Sequence, residues 1–189
     1  MNIGIDIDDT LADTTKLANA ILHNNPKYVD VLDYHDLNKE EFIQFGKKHL
    51  DEIQKYLILK DGVLEVLNNL KKQGYNIVII TARGAKNMEF LIPITEKFLK
   101  INRVPYDKII FSQEKKGEAC LKNNINIFID DKEHVLDEIK KYNKNIKTIR
   151  FLNGMKKSKH LTIRSWFELD VTIHSRNSEK CIRCRDSLK

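Results

Sequence analysis

Three carboxylates in four positions, Asp6, Asp8 and Asp9, end the first apolar run of the chain, "MNIGIDIDDTLADT". Aspartates are poor strand formers and repel one another, so a buried strand end is a costly place to gather them. Later apolar runs end in the same way. "NIVIITAR" delivers Thr81 and Arg83, "KIIF" runs into Lys115 and Lys116, and "INIFIDD" delivers Asp130 and Asp131. In open α/β sheets, ligands bind outside the carboxyl ends of the strands. One edge would therefore collect acids, a hydroxyl and cations. Carboxylates this crowded need a cation to offset their repulsion, and an all-oxygen donor set suits Mg2+.

The elements that must position these residues alternate. "NIGIDI" reads as a buried strand and "TTKLANAILHN" as a helix with Asp13 or Thr14 at its N-cap. Pro26 stops that helix, and residues 26–38 read as a loop with short turns. From Asn38 to Leu57, Phe42, Phe45, His49, Ile53 and Tyr56 recur at helix spacing. "DGVLEVLNNLKKQG" is another helix, closed by Gly74. Then follow "NIVII" as a strand, "NMEFLIPITEKFLKIN" as a helix that Pro93 starts or kinks, "KIIF" as a strand and "EKKGEACLKNN" as a helix. "INIFIDD" is a strand, "KEHVLDEIKKYN" a helix, "IKTIRF" the final strand, and "SWFELDVTI" a short helix packed by Trp166. Strands alternating with helices predict an α/β, doubly wound, Rossmann-like parallel sheet.

The chain's 189 residues suit one such domain with an insertion. With 41% apolar and 32% charged residues, a soluble globular protein is expected. No apolar run approaches the about 20 residues of a membrane span, and the N-terminus does not read as a signal peptide. Three cysteines argue against a disulfide framework, and a cytoplasmic location is expected. The formal charge of +6 is uneven, because residues 140–189 carry 14 Lys and Arg against 4 acids. Those charges are spread with few aromatics between them, which favours a solvated surface over a nucleic-acid groove. Cys181 and Cys184 form one CxxC without a second half, and Cys120 reads as a small core residue.

The constellation resembles the haloacid dehalogenase (HAD) superfamily of phosphotransferases. "IDIDDTL" is similar to its first motif, the Thr of "VIITAR" to its second, a lysine to its third, and the acidic pair of "IFIDD" to its fourth. The resemblance implies that Asp6 is a nucleophile that takes the phosphoryl group, and Asp8 the general acid and base. It implies Mg2+ held by the Asp6 carboxylate, the Asp8 backbone carbonyl and Asp130, with Asp131 either a direct ligand or an outer partner. It implies Thr81 and a lysine at the phosphate. Lys108 precedes its strand, at the wrong edge, so Lys116 is chosen, with Lys115 second. Arg83 has the forked geometry of a phosphate ligand, weighed equally against an exposed loop arginine. Asp9 reads as a cap or turn residue.

In this superfamily a helical insert after the first strand is a cap that selects substrates. The expected division is therefore a core of residues 1–12 and 61–175, a cap of 13–60, and a flexible basic tail of 176–189. "DIDDTLADT", "ITARG", "PYDKIIF", the "KGEAC…FIDD" spacing and "SWFEL" are similar to the cytosolic 5′(3′)-deoxyribonucleotidase family and its bacterial relatives. That resemblance implies a nucleoside monophosphate as the small phosphorylated substrate. Phe42, Phe45 and Tyr56 could stack a base, but their spacing favours core packing. The alternatives are a polynucleotide 3′-phosphatase, a sugar or metabolite phosphatase and, last, a non-catalytic phosphate-binding module.

Overall fold

Short, continuous apolar runs form strands buried on both faces, and these dictate a parallel sheet covered by helices. The computed structural model, which describes residues 1–28, 30–154 and 157–174, has six such strands. They are β1 (Asn2–Ile5), β2 (Asn76–Ile80), β3 (Lys108–Ile110), β4 (Ile125–Asp130), β5 (Lys147–Phe151) and β6 (Leu161–Ile163). All pairings are parallel, in the order β3-β2-β1-β4-β5-β6. The chain winds outward from β1 to β3, then crosses back to β4 and winds the other way. Its topological switch point lies between β1 and β4, where a doubly wound sheet opens a crevice at the strands' carboxyl ends.

The helices are α1 (Thr14–His23), α2 (Lys39–Lys48), α3 (Leu50–Tyr56), α4 (Val63–Lys72), α5 (Leu91–Ile101), α6 (Gly117–Lys122), α7 (Glu133–Tyr142) and α8 (Leu169–His174). Val66, Leu67 and Leu70 of α4, Phe98 and Leu99 of α5, and Leu169 of α8 share one apolar cluster with Ile3, Ile5, Ile77, Ile79 and Ile129. Ala119 and Cys120 of α6 and Val135, Leu136 and Ile139 of α7 share another with Val78, Ile80 and Phe128. Alternating strand residues thus feed opposite faces. Cys120 is fully buried, and burial pushes its thiol up to about 12, as befits a core residue.

Residues between β1 and α4 form a third cluster, with Leu22, Tyr28, Tyr34, Leu37 and Phe45 buried and Phe42 packed against it. The chain leaves and returns through a narrow neck. Asp13 N–H donates to the Ile58 carbonyl, Lys60 N–H to the Leu11 carbonyl, and Ala12 bridges Leu59. Residues 26–38 contain two 3-10 turns, Pro26–Tyr28 and Tyr34–Asp36, the second held by a capping box on Asp33.

Four expectations change. "IKTIRF" is not the last strand, because β6 adds at the edge, where three residues, two half-buried and one buried, carry little periodic signal. The helix over 38–57 breaks at His49, whose non-helical backbone ends α2 and precedes α3. Tyr56 is 54% exposed and is not a core residue, because α3 buries none of its side chains. The helix after β2 begins only at Leu91, which puts Pro93 in its first turn, where a missing N–H costs nothing. Residues 176–189, including Cys181 and Cys184, lie outside the described residues. Among the described residues no helix is long and apolar enough to cross a membrane.

Gly4 sits in β1 directly beside Phe128 of β4, and a Cβ there would lie 2.4 Å from the ring. Gly4→Ala is therefore expected to destabilise the fold by about 1–3 kcal/mol through overpacking. Phe128→Leu in the same chain should recover part of the loss. Urea denaturation of the two variants checks this, and an unchanged midpoint for Gly4→Ala would show that the ring has room to move.

Candidate active site

The site follows from strand direction. β1 and β4 are neighbours pointing the same way, so Asp6, just past β1, and Asp130, the last residue of β4, meet at the switch point. Both are buried, at 6% and 0% exposure. Two carboxylates cannot share a buried site uncompensated, and the cation between them is Lys116. Its Nζ donates to Asp6 Oδ1 at 2.6 Å and to Asp130 Oδ2 at 2.7 Å. The same ammonium lies 5.7 Å from the Phe128 ring centroid, over its face. Burial works against its charge, but Asp130 and Asp6 outweigh that and raise its pKa. Lys115 points to solvent.

Glu138 of α7 holds Lys116 in place from a distance. Its carboxylate accepts the backbone N–H of Lys116 at 3.2 Å and that of Gly117 at 3.0 Å, capping the start of α6. Asp130 Oδ1 also accepts the Lys132 N–H, at 2.8 Å.

Burial raises Asp6 to about 7, with Asp130 and Asp8 adding to the rise and Lys116 opposing it. Asp131 is pushed up to about 8 by burial and by the Asp130 and Asp6 charges. Its Oδ1 is buried with no hydrogen-bond partner. One carboxylate oxygen from each of Asp6, Asp130 and Asp131 lies within 4.8 Å of the others. An orphaned acceptor, repelling acids and oxygen donors only are what a hard divalent cation would satisfy. The donor set fits Mg2+.

Thr81 follows β2 and is fully buried. Its Oγ1 accepts the Arg83 N–H at 3.2 Å, which leaves the hydroxyl proton available as a donor. Arg83 is not an exposed loop arginine. It is 6% exposed, and its guanidinium grips the Asp8 carboxylate. Nε donates to both oxygens at 3.1 Å and Nη2 to Oδ1 at 2.6 Å. Burial alone would raise the Asp8 carboxyl, but Arg83, with the Thr14 hydroxyl, holds it down at about 2. The side chains of Asp6 and Asp8, two residues apart, therefore have opposite electrostatic settings. Asp8's carboxylate stands outside the acidic cluster, so any part it takes in holding a metal is through its backbone carbonyl.

Asp9 is the turn and capping residue expected of it. It adopts a left-handed backbone, φ 57°, and its carboxylate accepts the Thr15 N–H at 2.9 Å and the Thr15 hydroxyl. Asp13 makes no side-chain cap and pairs with Lys60 instead. Trp166 Nε1 donates to the Thr10 carbonyl at 3.0 Å, and Asn153 Nδ2 to the Asp9 carbonyl at 3.0 Å, so two distant segments pin the loop after β1. Thr95, Glu138, Lys60 and Asn153 go unmarked in the sequence, and Thr14 is marked there only as a cap candidate. Each acts across at least six residues, and no motif spacing marks them.

The two raised acids give the pH dependence a definite sign. Between the ordinary carboxylate range and about 7–8, the folded protein keeps protons on Asp6 and Asp131 that the unfolded chain releases. Stability of the metal-free protein therefore falls as pH rises through that window. Asp8, with its lowered pKa, contributes the opposite slope only from about 2 up to the ordinary carboxylate range. Thermal melts in chelator should give a Tm that declines from about pH 5 to pH 8, and Mg2+ should raise it most at the alkaline end. A flat profile that ignores Mg2+ would contradict this electrostatic account.

No known family profile matches the chain. A Bacillus cereus protein described as a "putative nucleotidase" is 30% identical over 196 residues, spanning 89% of this chain and 96% of that protein. Among solved structures, a "predicted phosphatase" from Clostridium acetobutylicum superposes with a TM-score of 0.66 at 16% identity, over 91% of this chain and 97% of that one. A HAD-superfamily hydrolase of subfamily IA from Geobacter sulfurreducens does so with a TM-score of 0.61 at 13% identity, over 91% and 95%. At such identities the two structures speak to the fold alone, whereas the Bacillus relative is matched along nearly the whole chain. The chain therefore belongs to one family with the Bacillus relative, and it shares the fold of haloacid dehalogenase-superfamily hydrolases.

Proposed function

We propose that the protein is a Mg2+-dependent phosphomonoesterase that works through an aspartyl-phosphate and acts on nucleoside monophosphates. The observation that carries the reading is the meeting of Asp6, Asp130 and Asp131 with Lys116 at the switch point, with Thr81 at the carboxyl end of the neighbouring strand β2. The nucleoside preference rests on the name of the Bacillus relative and on the motifs shared with nucleotidases.

Lys116 occupies Asp6 Oδ1, leaving Oδ2 as the attacking atom. Oδ2 forms a bond to phosphorus as the bond from phosphorus to the ester oxygen breaks. Asp8, ionised in the free protein, takes the proton that a monoanionic phosphomonoester brings and passes it to that oxygen, and the alcohol departs. Asp8, now ionised, takes a proton from water, whose oxygen attacks phosphorus and releases inorganic phosphate and Asp6. Lys116 and the Thr81 hydroxyl donate to the phosphoryl oxygens as charge spreads over them. Mg2+, held by Asp6, Asp130, Asp131 and the Asp8 carbonyl, would neutralise the crowded carboxylates and the incoming phosphate. The helical segment of residues 13–60, entered and left through one neck, serves as the cap over the site.

Phosphate release from 5′- and 3′-(deoxy)nucleoside monophosphates, sugar phosphates and a 3′-phosphorylated oligonucleotide tests this. Turnover concentrated on mononucleotides and abolished by chelation is expected. Asp6→Asn should lose on the order of 10^4-fold or more while keeping its fold. Preference for the oligonucleotide or for sugar phosphates would replace the nucleoside assignment. Retained activity in Asp6→Asn would remove the nucleophile.

A further inference from the structure

We infer that Arg83 is a positioning residue that aims the Asp8 carboxyl group at the leaving oxygen and does not bind the phosphate. The inference rests on the phosphomonoesterase reading above and concerns a residue for which family resemblance supplies no role.

The first argument is donor use. A guanidinium has five N–H donors in a fixed fork. Nε and Nη2 are spent on Asp8, Nη2 also reaches the Thr14 hydroxyl at 3.4 Å, and Nη1 donates to Thr95 Oγ1 at 3.1 Å. Thr95 is fully buried in α5. The guanidinium is thus clamped at its back by α5 and faces Asp8. Four of its five N–H bonds are engaged, so a phosphate could take the bidentate fork only by displacing the acid and leaving that charge unpaired.

The second argument is what the grip does to the acid. Oδ1 of Asp8 receives Nη2, Nε and, at 2.8 Å, the Thr14 hydroxyl, whereas Oδ2 receives only one arm of the Nε–H. The carboxylate cannot rotate, and Oδ2 is its less engaged oxygen. Asp8 is 28% exposed while Arg83 is 6% exposed, so the acid faces the crevice and the arginine stands behind it. Oδ2 is therefore the atom that passes the proton to the ester oxygen and later takes one from water. Thr14 is the first residue of α1, so the helical segment also has a hand on the same carboxylate.

A residue that works only through a general acid matters in proportion to how much the leaving group needs its proton. A nucleoside alkoxide needs one, and p-nitrophenolate does not. A positioned acid is worth about 10^2–10^4-fold on the former. kcat/KM, which covers steps through departure of the leaving group, should be measured for Arg83→Lys and Arg83→Gln on a nucleoside monophosphate and on p-nitrophenyl phosphate. Arg83→Lys keeps the charge without the fork, so a folded variant is at hand should Arg83→Gln unfold. Both should lose at least about tenfold more on the alkyl ester than on the aryl ester. Inhibition by inorganic phosphate should hold within about twofold, and Arg83→Gln should add little loss to Asp8→Asn.

Equal losses on both esters, weakened phosphate inhibition, or a penalty that adds in full to that of Asp8→Asn would each overturn the inference while leaving the phosphatase intact. A parent protein that hydrolyses neither ester, with Mg2+ supplied, would overturn the phosphatase reading and this inference with it.

Discussion

A single ammonium makes the carboxyl edge of this sheet tenable. Lys116 stands between Asp6 and Asp130, which β1 and β4 bring together because parallel neighbours end at the same place. Buried charges demand partners, and removing one half of such a group leaves the other stranded at a cost of about 3–5 kcal/mol. The placement of α6 follows from this need. Its first turn is capped by Glu138 from α7, so the helix enters with its lysine turned inward. Cys120 and Ala119 then pack on the sheet behind it. The acidic cluster still exceeds what one lysine compensates, as the raised Asp6 and Asp131 and the unpartnered Asp131 oxygen show. That residual excess is what a divalent cation would offset.

The second aspartate of "IDIDD" belongs to a different electrostatic neighbourhood. Asp8 is answered by Arg83 and Thr14, not by Lys116. The two environments separate the protonation of these acids, and in the metal-free protein it is Asp6 that favours the proton and Asp8 that stays ionised. Here the separation comes from the strand ends. Asp6 faces β4 and α6, while Asp8 faces the loop after β2 and the start of α1. The loop that carries both is stiffened by Asp9, by the Trp166 indole and by Asn153, so the two carboxylates keep their spacing.

Sequence legibility follows the physics of each element. β2 is a continuous apolar run and β4 one interrupted only by Asn126, and both are plain in the sequence. β6 is three residues at a sheet edge and leaves no such trace. Spacing at Phe42, Phe45 and His49 continues through Ile53 as if one helix ran on, so the break at His49 is invisible until packing separates α2 from α3. In the site, strand direction alone separates Lys108 from Lys115 and Lys116, because only the latter two follow their strand. Arg83 is visible in the sequence as a cation at the carboxyl edge of the sheet, but its partner is not, since a guanidinium suits a carboxylate as well as a phosphate. Glu138, Thr95 and Asn153 act through contacts between distant segments, which a single sequence does not encode as spacing.

The central claim is that Asp6 carries the phosphoryl group between substrate and water. Rapid acid quenching of a turnover with 32P-labelled phosphomonoester, followed by peptide mapping, tests it directly. The account predicts transient label on the N-terminal peptide that bears Asp6, lost in Asp6→Asn. Steady turnover with no protein-bound label, or label on any other residue, would contradict it.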